Sequence, residues 1–270
     1  NCETSKRVNH RIHDNHFHDC QVNSASSNGI VHYNCNECAQ SSNLIMENNI
    51  FEKNKGRFAA FYIEAVRALD IKFENNSIQN NDPGAGSYLC GFNFKGTYTQ
   101  NHIFTMINNK FINNTCSSPY GGGIGFWTQN KESSASNTGK IFKFEFIDCL
   151  FEGNRANYSP NKECVNGNGG AVQIGYSATT AITSPFFKRC TFLRALSISV
   201  AAPFGIEDCV FNDNTANINP TENYTYGGGA ICYRPDDIKE GGFPKSEIYN
   251  ISNSTFRGNT ANNAHAIYVG

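Results

Sequence analysis

A short phrase centred on one apolar residue returns eight times along this 270-residue chain, and this repeat constrains the fold more than any single residue does. Two of the clearest copies are residues 149–154 (CLFEGN) and 209–214 (CVFNDN). Self-similarity at a period of roughly 20 to 50 residues is typical of solenoids and repeat arrays. The eight central residues form a predicted core ladder: Phe17, Phe51, Ile78, Phe111, Phe151, Phe192, Phe211 and Phe256.

The residues before each centre indicate two strands that meet at a corner. An apolar residue stands five positions before the centre in every copy: Ile12, Met46, Phe73, Met106, Phe146, Phe187, Ile206 and Ile251. Side chains alternate along a strand, so this position and the centre can both face inward only if the chain turns between them. Asn and Asp tolerate the left-handed backbone of such a turn. They stand three positions before the centre in most copies, including Asn48, Asn75, Asn108, Asp148, Asp208 and Asn253.

A third strand, introduced by glycine, follows each centre and is clearest in residues 169–174 (GGAVQI) and 228–233 (GGAICY). Three short strands per repeat predict an all-β fold. We expect a right-handed parallel β-helix solenoid of about eight coils of three short strands, with looped-out corners. A propeller is the alternative, but each blade would need four antiparallel strands. The uneven spacing between centres, short from 192 to 211 and long from 211 to 256, also argues against blades.

The extent of the repeat and the composition limit the classes of protein to which this chain can belong. The repeat runs through the whole sequence, so we expect a single β-helix domain over residues 1–270. Solenoids need polar caps, so we expect a segment of a longer surface protein. A net charge of −1 without a basic stripe argues against nucleic acid as a partner. No apolar stretch is long enough to predict a membrane span within this chain.

Six Asn-x-Ser/Thr sequons occur, which is about the number that chance gives in a chain this rich in these residue types. Asn157 and Asn223 lie in predicted loops, and we expect these two, before the other four, to be glycosylated. The candidate glycosylation sites are Asn75, Asn113, Asn157, Asn223, Asn250 and Asn253.

The chain has 11 cysteines, so at least one thiol has no partner within it. Cys149, Cys190 and Cys209 stand two positions before the centre in consecutive repeats and are expected to face inward. Stacked parallel neighbours rarely suit disulfide geometry, so the sequence predicts a buried ladder of free thiols. Five cysteines near predicted loops could form disulfides in an oxidising compartment: Cys35, Cys38, Cys116, Cys164 and Cys232. Cys35 and Cys38 could instead hold zinc with nearby histidines. No second Cys-x-x-Cys exists, and we predict no metal site.

The repeats differ in length mainly at two corners. Residues 154–168 and 215–226 follow the central phrase, and residues 128–140 and 234–246 follow the glycine strand. Loops on a rigid scaffold often carry binding, so these two edges are candidate interaction surfaces, unless they are merely tolerated insertions. If Trp127 is exposed, it could stack on a sugar or anchor a partner protein. If it is buried, its role is only to pack at the end of its coil. The candidate interaction residues are Trp127, Tyr158, Tyr224 and Tyr226.

No linear catalytic or cofactor motif stands out. Polysaccharide hydrolases need paired carboxylates to protonate the leaving oxygen and activate water. The Asp236-Asp237 pair falls in a predicted loop. We therefore predict no cofactor and no enzymatic activity.

One histidine cluster stands near the start of the sequence: His10, His13, His16 and His18. On a strand, His16 and His18 share the face opposite Phe17. A metal site would need partners from the next coil, where Glu52 and Lys53 are unpromising, so we predict surface histidines.

Two paired motifs resemble those of a known family. GGA followed by Val or Ile occurs at residues 169–172 and 228–231, and FxxN occurs five times: Phe51/Asn54, Phe111/Asn114, Phe151/Asn154, Phe211/Asn214 and Phe256/Asn259. In these motifs the chain resembles the passenger region of chlamydial polymorphic outer membrane proteins and large surface proteins of parasitic protists such as trichomonads. FxxN is lost at Phe17, Ile78 and Phe192. The resemblance implies a surface-displayed, adhesive β-helix without catalysis.

We therefore expect a non-catalytic extracellular β-helix that acts at the cell surface, in adhesion or surface structure, through the loop edges of the rod. Its partners would be a protein or glycan on another cell surface, or neighbouring copies in an assembly. Two alternatives remain open. Carboxylates about 5 to 9.5 Å apart on one coil face would favour a polysaccharide-active β-helix enzyme. Apolar, uncapped coil ends would favour a structural subunit of an extracellular filament or coat.

Overall fold

The computed structural model describes residues 9–21, 29–35, 42–56, 58–65, 69–82, 92–96, 102–116, 124–128, 141–156, 172–175, 182–194, 198–200, 204–216, 230–233, 250–261 and 267–269. Within these ranges every regular element is a β-strand. The same residues contain no helix of the length and hydropathy that crossing a membrane requires.

The strands form three eight-stranded parallel sheets, and each sheet takes every strand from a different repeat. Sheet 1 contains Asn9–His13, Ser42–Glu47, Leu69–Glu74, His102–Ile107, Ile141–Ile147, Ile182–Lys188, Gly205–Glu207 and Asn250–Ser252. Sheet 2 contains His16–His18, Ile50–Glu52, Ser77–Gln79, Lys110–Ile112, Leu150–Glu152, Thr191–Leu193, Val210–Asn212 and Thr255–Arg257. Sheet 3 contains Gly29–Cys35, Phe58–Ala65, Phe92–Gly96, Ile124–Thr128, Val172–Gly175, Ile198–Val200, Ile231–Tyr233 and Ile267–Val269.

Two further pairs of two-residue strands extend the stack beyond sheet 2. Thr115–Cys116 pairs with Arg155–Ala156, and Thr215–Ala216 pairs with Thr260–Ala261. All of these pairings are parallel. The all-β, parallel, stacked-sheet architecture is that of a β-helix-like solenoid, as the repeat predicts.

The central residues of the repeat lie side by side in sheet 2 and fill the interior. Phe151 pairs in register with Phe192, and Phe192 with Phe211. The ring centroids of these pairs are 4.8 and 4.6 Å apart, with the rings inclined by only 2° and 3°. Ile78 stands between Phe51 and Phe111 and is 2% exposed. Stacked rings bury a large apolar area and pack more favourably than isolated ones.

Sheet 1 supplies a second wall of the core, through the apolar position five residues before each centre, and sheet 3 supplies a third wall, with buried residues such as Phe61 and Ile231. Phe146 and Phe187 stack at 4.6 Å in register, and Phe187 meets Phe192 of sheet 2 edge-on at 5.9 Å. The burial of this column is not uniform, because Ile251 is 37% exposed.

The corner between sheets 1 and 2 has a left-handed backbone in every repeat, as the parity argument predicts. The eight residues with positive φ, between 49° and 56°, are Asp14, Asn48, Asn75, Asn108, Asp148, Arg189, Asp208 and Asn253. The repeat fixes the conformation more strongly than the residue type does, since Arg189 adopts it too.

A second left-handed corner, which the sequence analysis did not predict, stands two positions after each centre. Its eight residues are Asp19, Lys53, Asn80, Asn113, Gly153, Arg194, Asp213 and Gly258. Two closely spaced corners turn the chain out of sheet 2 after only three residues, which explains why its strands are so short.

Candidate functional site

Two columns of polar side chains run through the interior, and they are buried except near their ends, where Asn15 is exposed and Cys20 and Ser254 are half-buried. The sequence analysis predicted only the cysteine part of the first column. The first polar ladder stands two positions before each centre: Asn15, Asn49, Asn76, Asn109, Cys149, Cys190, Cys209 and Ser254. The second polar ladder stands three positions after it: Cys20, Asn54, Asn81, Asn114, Asn154, Asn214 and Asn259. The equivalent residue of the remaining repeat, Ala195, lies outside the described residues.

Asn76 shows how one amide of the first polar ladder is satisfied. Its Nδ2 donates to the carbonyl oxygen of Met46 at 2.9 Å and to Oδ1 of Asn109 at 3.0 Å. Its Oδ1 accepts from the backbone N and from Nδ2 of Asn49, both at 3.0 Å. A buried polar group that is fully bonded stiffens its surroundings, whereas one left unpaired is costly. The ladder therefore ties successive repeats together where the chain turns its corner.

Cysteine replaces asparagine in three consecutive rungs of the same ladder. Sγ of Cys149, Cys190 and Cys209 lies 3.4, 3.3 and 3.5 Å from a carbonyl oxygen of the repeat before. All three thiols are buried and free of disulfides, which confirms the predicted thiol ladder. Burial, followed by hydrogen bonds with the neighbouring thiols, raises the pKa of Cys190 well above its usual value. A protonated thiol is a poor nucleophile, so this rung is structural.

The four sequon asparagines within the described residues all have exposed side chains. Asn75, Asn113 and Asn253 stand at left-handed corners, and Asn250 begins the last strand of sheet 1. Oδ1 of Asn75 accepts a hydrogen bond from Nδ2 of Asn108 at 2.8 Å, so this side chain is held along the edge of the stack.

Three of the four predicted interaction residues and two of the candidate glycosylation sites fall outside the described residues. Asn157, Asn223, Tyr158, Tyr224 and Tyr226 lie there, as does the Asp236-Asp237 pair. The backbone of Trp127 belongs to sheet 3, where it pairs with Lys95 and Gly175 on its two sides.

Charged side chains on the outer faces of the described sheets form pairs with one another. On sheet 1, Lys143 lies 2.7 Å from Glu145, and Lys188 lies 2.8 Å from Glu207. At the corner beside it, Arg189 forms two hydrogen bonds with Asp148, at 2.7 and 2.8 Å. The hydrogen bond from Arg189 lowers the pKa of the Asp148 carboxyl.

Three of the four clustered histidines, His13, His16 and His18, lie on the outer surface at the start of sheets 1 and 2. His10 departs from the prediction, because it is half-buried on the same face as Ile12 and its ring meets that of Tyr33 edge-on at 5.3 Å. The rings of His16 and His18 share one face, with centroids 4.7 Å apart, whereas His13 is hydrogen-bonded to Asp14 at 2.7 Å. Glu52 reaches His16 from the neighbouring strand, where Nε2 and Oε2 are 3.6 Å apart. The sequence analysis placed Glu52 in the next repeat and judged it an unpromising partner, whereas the structure brings its carboxylate beside His16. In the described part of the chain, no group of three or more His, Cys, Asp or Glu side chains is arranged to hold a metal ion.

Comparisons with protein-family models, with curated proteins and with solved structures find no match to this chain.

Proposed function

We propose that the chain is a non-catalytic right-handed β-helix of eight coils that acts outside the cell, in adhesion or surface structure. The loops at two corners of the rod would contact a protein or glycan on another cell surface, or neighbouring copies in an assembly. Right-handed winding is the rule for parallel crossovers. The proposal depends on one observation, which is that the connections at one corner have a constant length whereas those at the other two corners vary.

The corner between sheets 1 and 2 has a constant length. Two residues join the strands in every repeat, as Asp14 and Asn15 do in the first repeat and Asp208 and Cys209 in the seventh. At the other two corners the connections differ widely. Between sheets 2 and 3 they range from residues 194–197 to residues 153–171, and between sheets 3 and 1 from residues 66–68 to residues 234–249. Uneven loops beside a uniform scaffold are the usual arrangement of a binding surface.

The interior supports a scaffold role for the stacked sheets. The aromatic stack and the two polar ladders link each repeat to the next, so the corners stand on a stiff support. A stiff support fixes where each loop begins and ends, which favours recognition by loops over recognition by the sheet faces.

Binding by surface-immobilised protein tests the proposal. Beads that carry the chain would be presented to eukaryotic cells and to arrayed glycans, alongside a variant with Trp127→Ala, Tyr158→Ala, Tyr224→Ala and Tyr226→Ala. The matched control changes the constant corner, with Asn48→Gly, Asn75→Gly and Asn108→Gly, since glycine accepts a left-handed backbone. We expect the loop variant to lose binding and the corner variant to keep it.

Two results would count against this function. Equal loss in both variants would show that the loops carry no specificity, and release of oligosaccharides from a polysaccharide panel would favour an enzyme. The cellular location has its own test, in which enzymatic deglycosylation in heavy-oxygen water marks occupied asparagines of the native protein. Marked Asn157 or Asn223 supports an extracellular glycoprotein, whereas unmarked sequons in material from a eukaryotic source would contradict it.

A further inference from the structure

We propose that His16 and His18 form a two-imidazole site for a divalent transition metal ion on the outer face of sheet 2. Water would complete the coordination, and Glu52 would be the anionic neighbour of the bound ion. The proposal is independent of adhesion, because it depends only on side chains of the stacked strands.

The strand fixes both imidazoles on the same side. Side chains two residues apart share a face, and Phe17 between them is held in the interior by its stack on Phe51, at 4.8 Å and 16°. His16 and His18 are therefore kept outward, with side chains 49% and 58% exposed. Their ring centroids are 4.7 Å apart. Two imidazoles presented in this way can bind one ion after rotation about their side-chain torsions only.

The hydrogen bonds leave a lone pair free on His18. Its Nδ1 lies 3.1 Å from Oδ2 of Asp19, and an ionised carboxylate can only accept, so Nδ1 carries the hydrogen. The neutral ring then has its lone pair on Nε2, which is the atom a metal ion would bind. A carboxylate behind a ligating histidine fixes the tautomer and makes the ligand more basic.

Glu52 places negative charge beside the same pair. It is the register partner of His18 in the neighbouring strand, and its Oε2 lies 3.6 Å from Nε2 of His16. Among the described side chains, the carboxylate completes no three-residue metal site, so its contribution to the pair is its charge. Lys53 opposes a cation here, since its Nζ lies 3.5 Å from Oε1 of Glu52, but Glu52 and Asp19 together outweigh its single charge.

His13 offers a matched comparison within the same surface. Its Nδ1 is bonded to Asp14 at 2.7 Å, as that of His18 is to Asp19. The residue two positions before it on the same face is Arg11, a permanent cation, rather than a second imidazole. His13 should therefore bind a metal ion no better than any single surface histidine. Imidazole ligands select zinc, copper and nickel among common divalent ions.

The test is a titration of the whole chain with ZnSO₄, followed by NMR of the imidazole Cε1 protons at about pH 7. We expect the signals of His16 and His18 to shift together and saturate at one equivalent of zinc. The second imidazole makes binding intramolecular, so His16→Gln or His18→Gln should each weaken zinc binding on the order of 100-fold. His13→Gln should leave it unchanged, and thermal unfolding would show that each variant is folded.

Three outcomes would overturn the site. Zinc could bind weakly and shift the NMR signals of His13, His16 and His18 to the same extent, which is the behaviour of separate single histidines. Either single variant could bind as tightly as the native chain. Zinc could also bind tightly without moving either imidazole, in which case thiols elsewhere in the chain hold it.

Discussion

Oδ1 of Asn154 accepts two hydrogen bonds from Asn114 of the preceding repeat, one from the backbone N and one from Nδ2, each at 3.0 Å. Asn114 in turn donates from Nδ2 to the carbonyl oxygen of Ile78 at 2.8 Å. Both side chains are 0% exposed. Each of these buried amides thus satisfies two backbone groups of the preceding repeat, one N–H and one carbonyl oxygen, and a column of amides runs beside the apolar core.

Removal of one amide from this column should be costly. Asn114→Ala leaves the carbonyl oxygen of Ile78 and the backbone N of Asn81 without their present partners. Each unpaired buried group costs about 1–3 kcal/mol, so we expect a loss of about 3 kcal/mol in the free energy of unfolding, measured by urea titration. The control is Asn113→Gly at the neighbouring exposed corner, which should change it by less than about 0.5 kcal/mol. Equal effects of the two substitutions would show that the second polar ladder contributes no more to the free energy of unfolding than an exposed corner does.

The second corner predicts a graded response at Gly153. Its φ is +63°, and an added Cβ would stand 2.2 Å from Oδ1 of Asn113 in the preceding repeat. That oxygen is the end of an exposed side chain and can rotate away, so the backbone conformation sets most of the cost. Gly153→Ala should lower the free energy of unfolding by about 1 kcal/mol. Gly153→Asn should lower it less, because asparagine tolerates this conformation and already occupies the same position as Asn80 and Asn113.

The double variant Asn113→Gly/Gly153→Ala separates the two causes. If the backbone dominates, removal of the Asn113 side chain leaves the cost of Gly153→Ala nearly unchanged. A full rescue would instead assign the cost to the contact between the two side chains.

Some of this architecture can be predicted from the sequence for a clear physical reason. The parity difference between the apolar position and the centre requires a turn, and Asn or Asp at Asn48, Asn75 and Asp148 indicates where it lies. The second corner has a similar composition, with Asn, Asp or Gly at six of its eight positions. No apolar residue follows it to show a change of side-chain parity, however, so the apolar pattern indicates no turn there.

The polar ladders and the histidine pair are hidden for a different reason. Asn54 and Asn81 are visible in the sequence as part of a repeated pattern, but their bonds join residues in different repeats. Only the register of the sheets shows that the asparagine of one repeat completes the backbone of another. The same holds for His16 and Glu52, whose contact depends on the pairing of their strands.

Arg189 predicts a pH-dependent comparison. Its hydrogen bonds lower the pKa of Asp148, so this pair stabilises the fold above the ordinary carboxyl pKa of 3.8 and loses that contribution as the pH falls below it. Arg189→Asn removes the ion pair but suits the left-handed corner better. We expect the difference in urea midpoint, variant minus native chain, to increase as the pH is lowered from about 7 to about 2.5. In an Asp148→Asn background the shift with pH should vanish, and its persistence there would assign it to another group.

The thiol ladder predicts selective protection from alkylation. Cys149, Cys190 and Cys209 are at most 1% exposed, whereas Cys20 is partly exposed at the edge of the second polar ladder. Alkylation requires that the reagent reach the sulfur and that the thiol be ionised. Burial keeps the reagent away from all three thiols, and it also raises the pKa of Cys190. Treatment of the folded chain with iodoacetamide, followed by peptide mass spectrometry, should modify Cys20 and leave these three unmodified. In urea above the unfolding midpoint, all four should react. Modification of Cys190 in the folded chain at a rate like that of Cys20 would show that the stack opens locally, since global unfolding is too rare in native buffer to expose it.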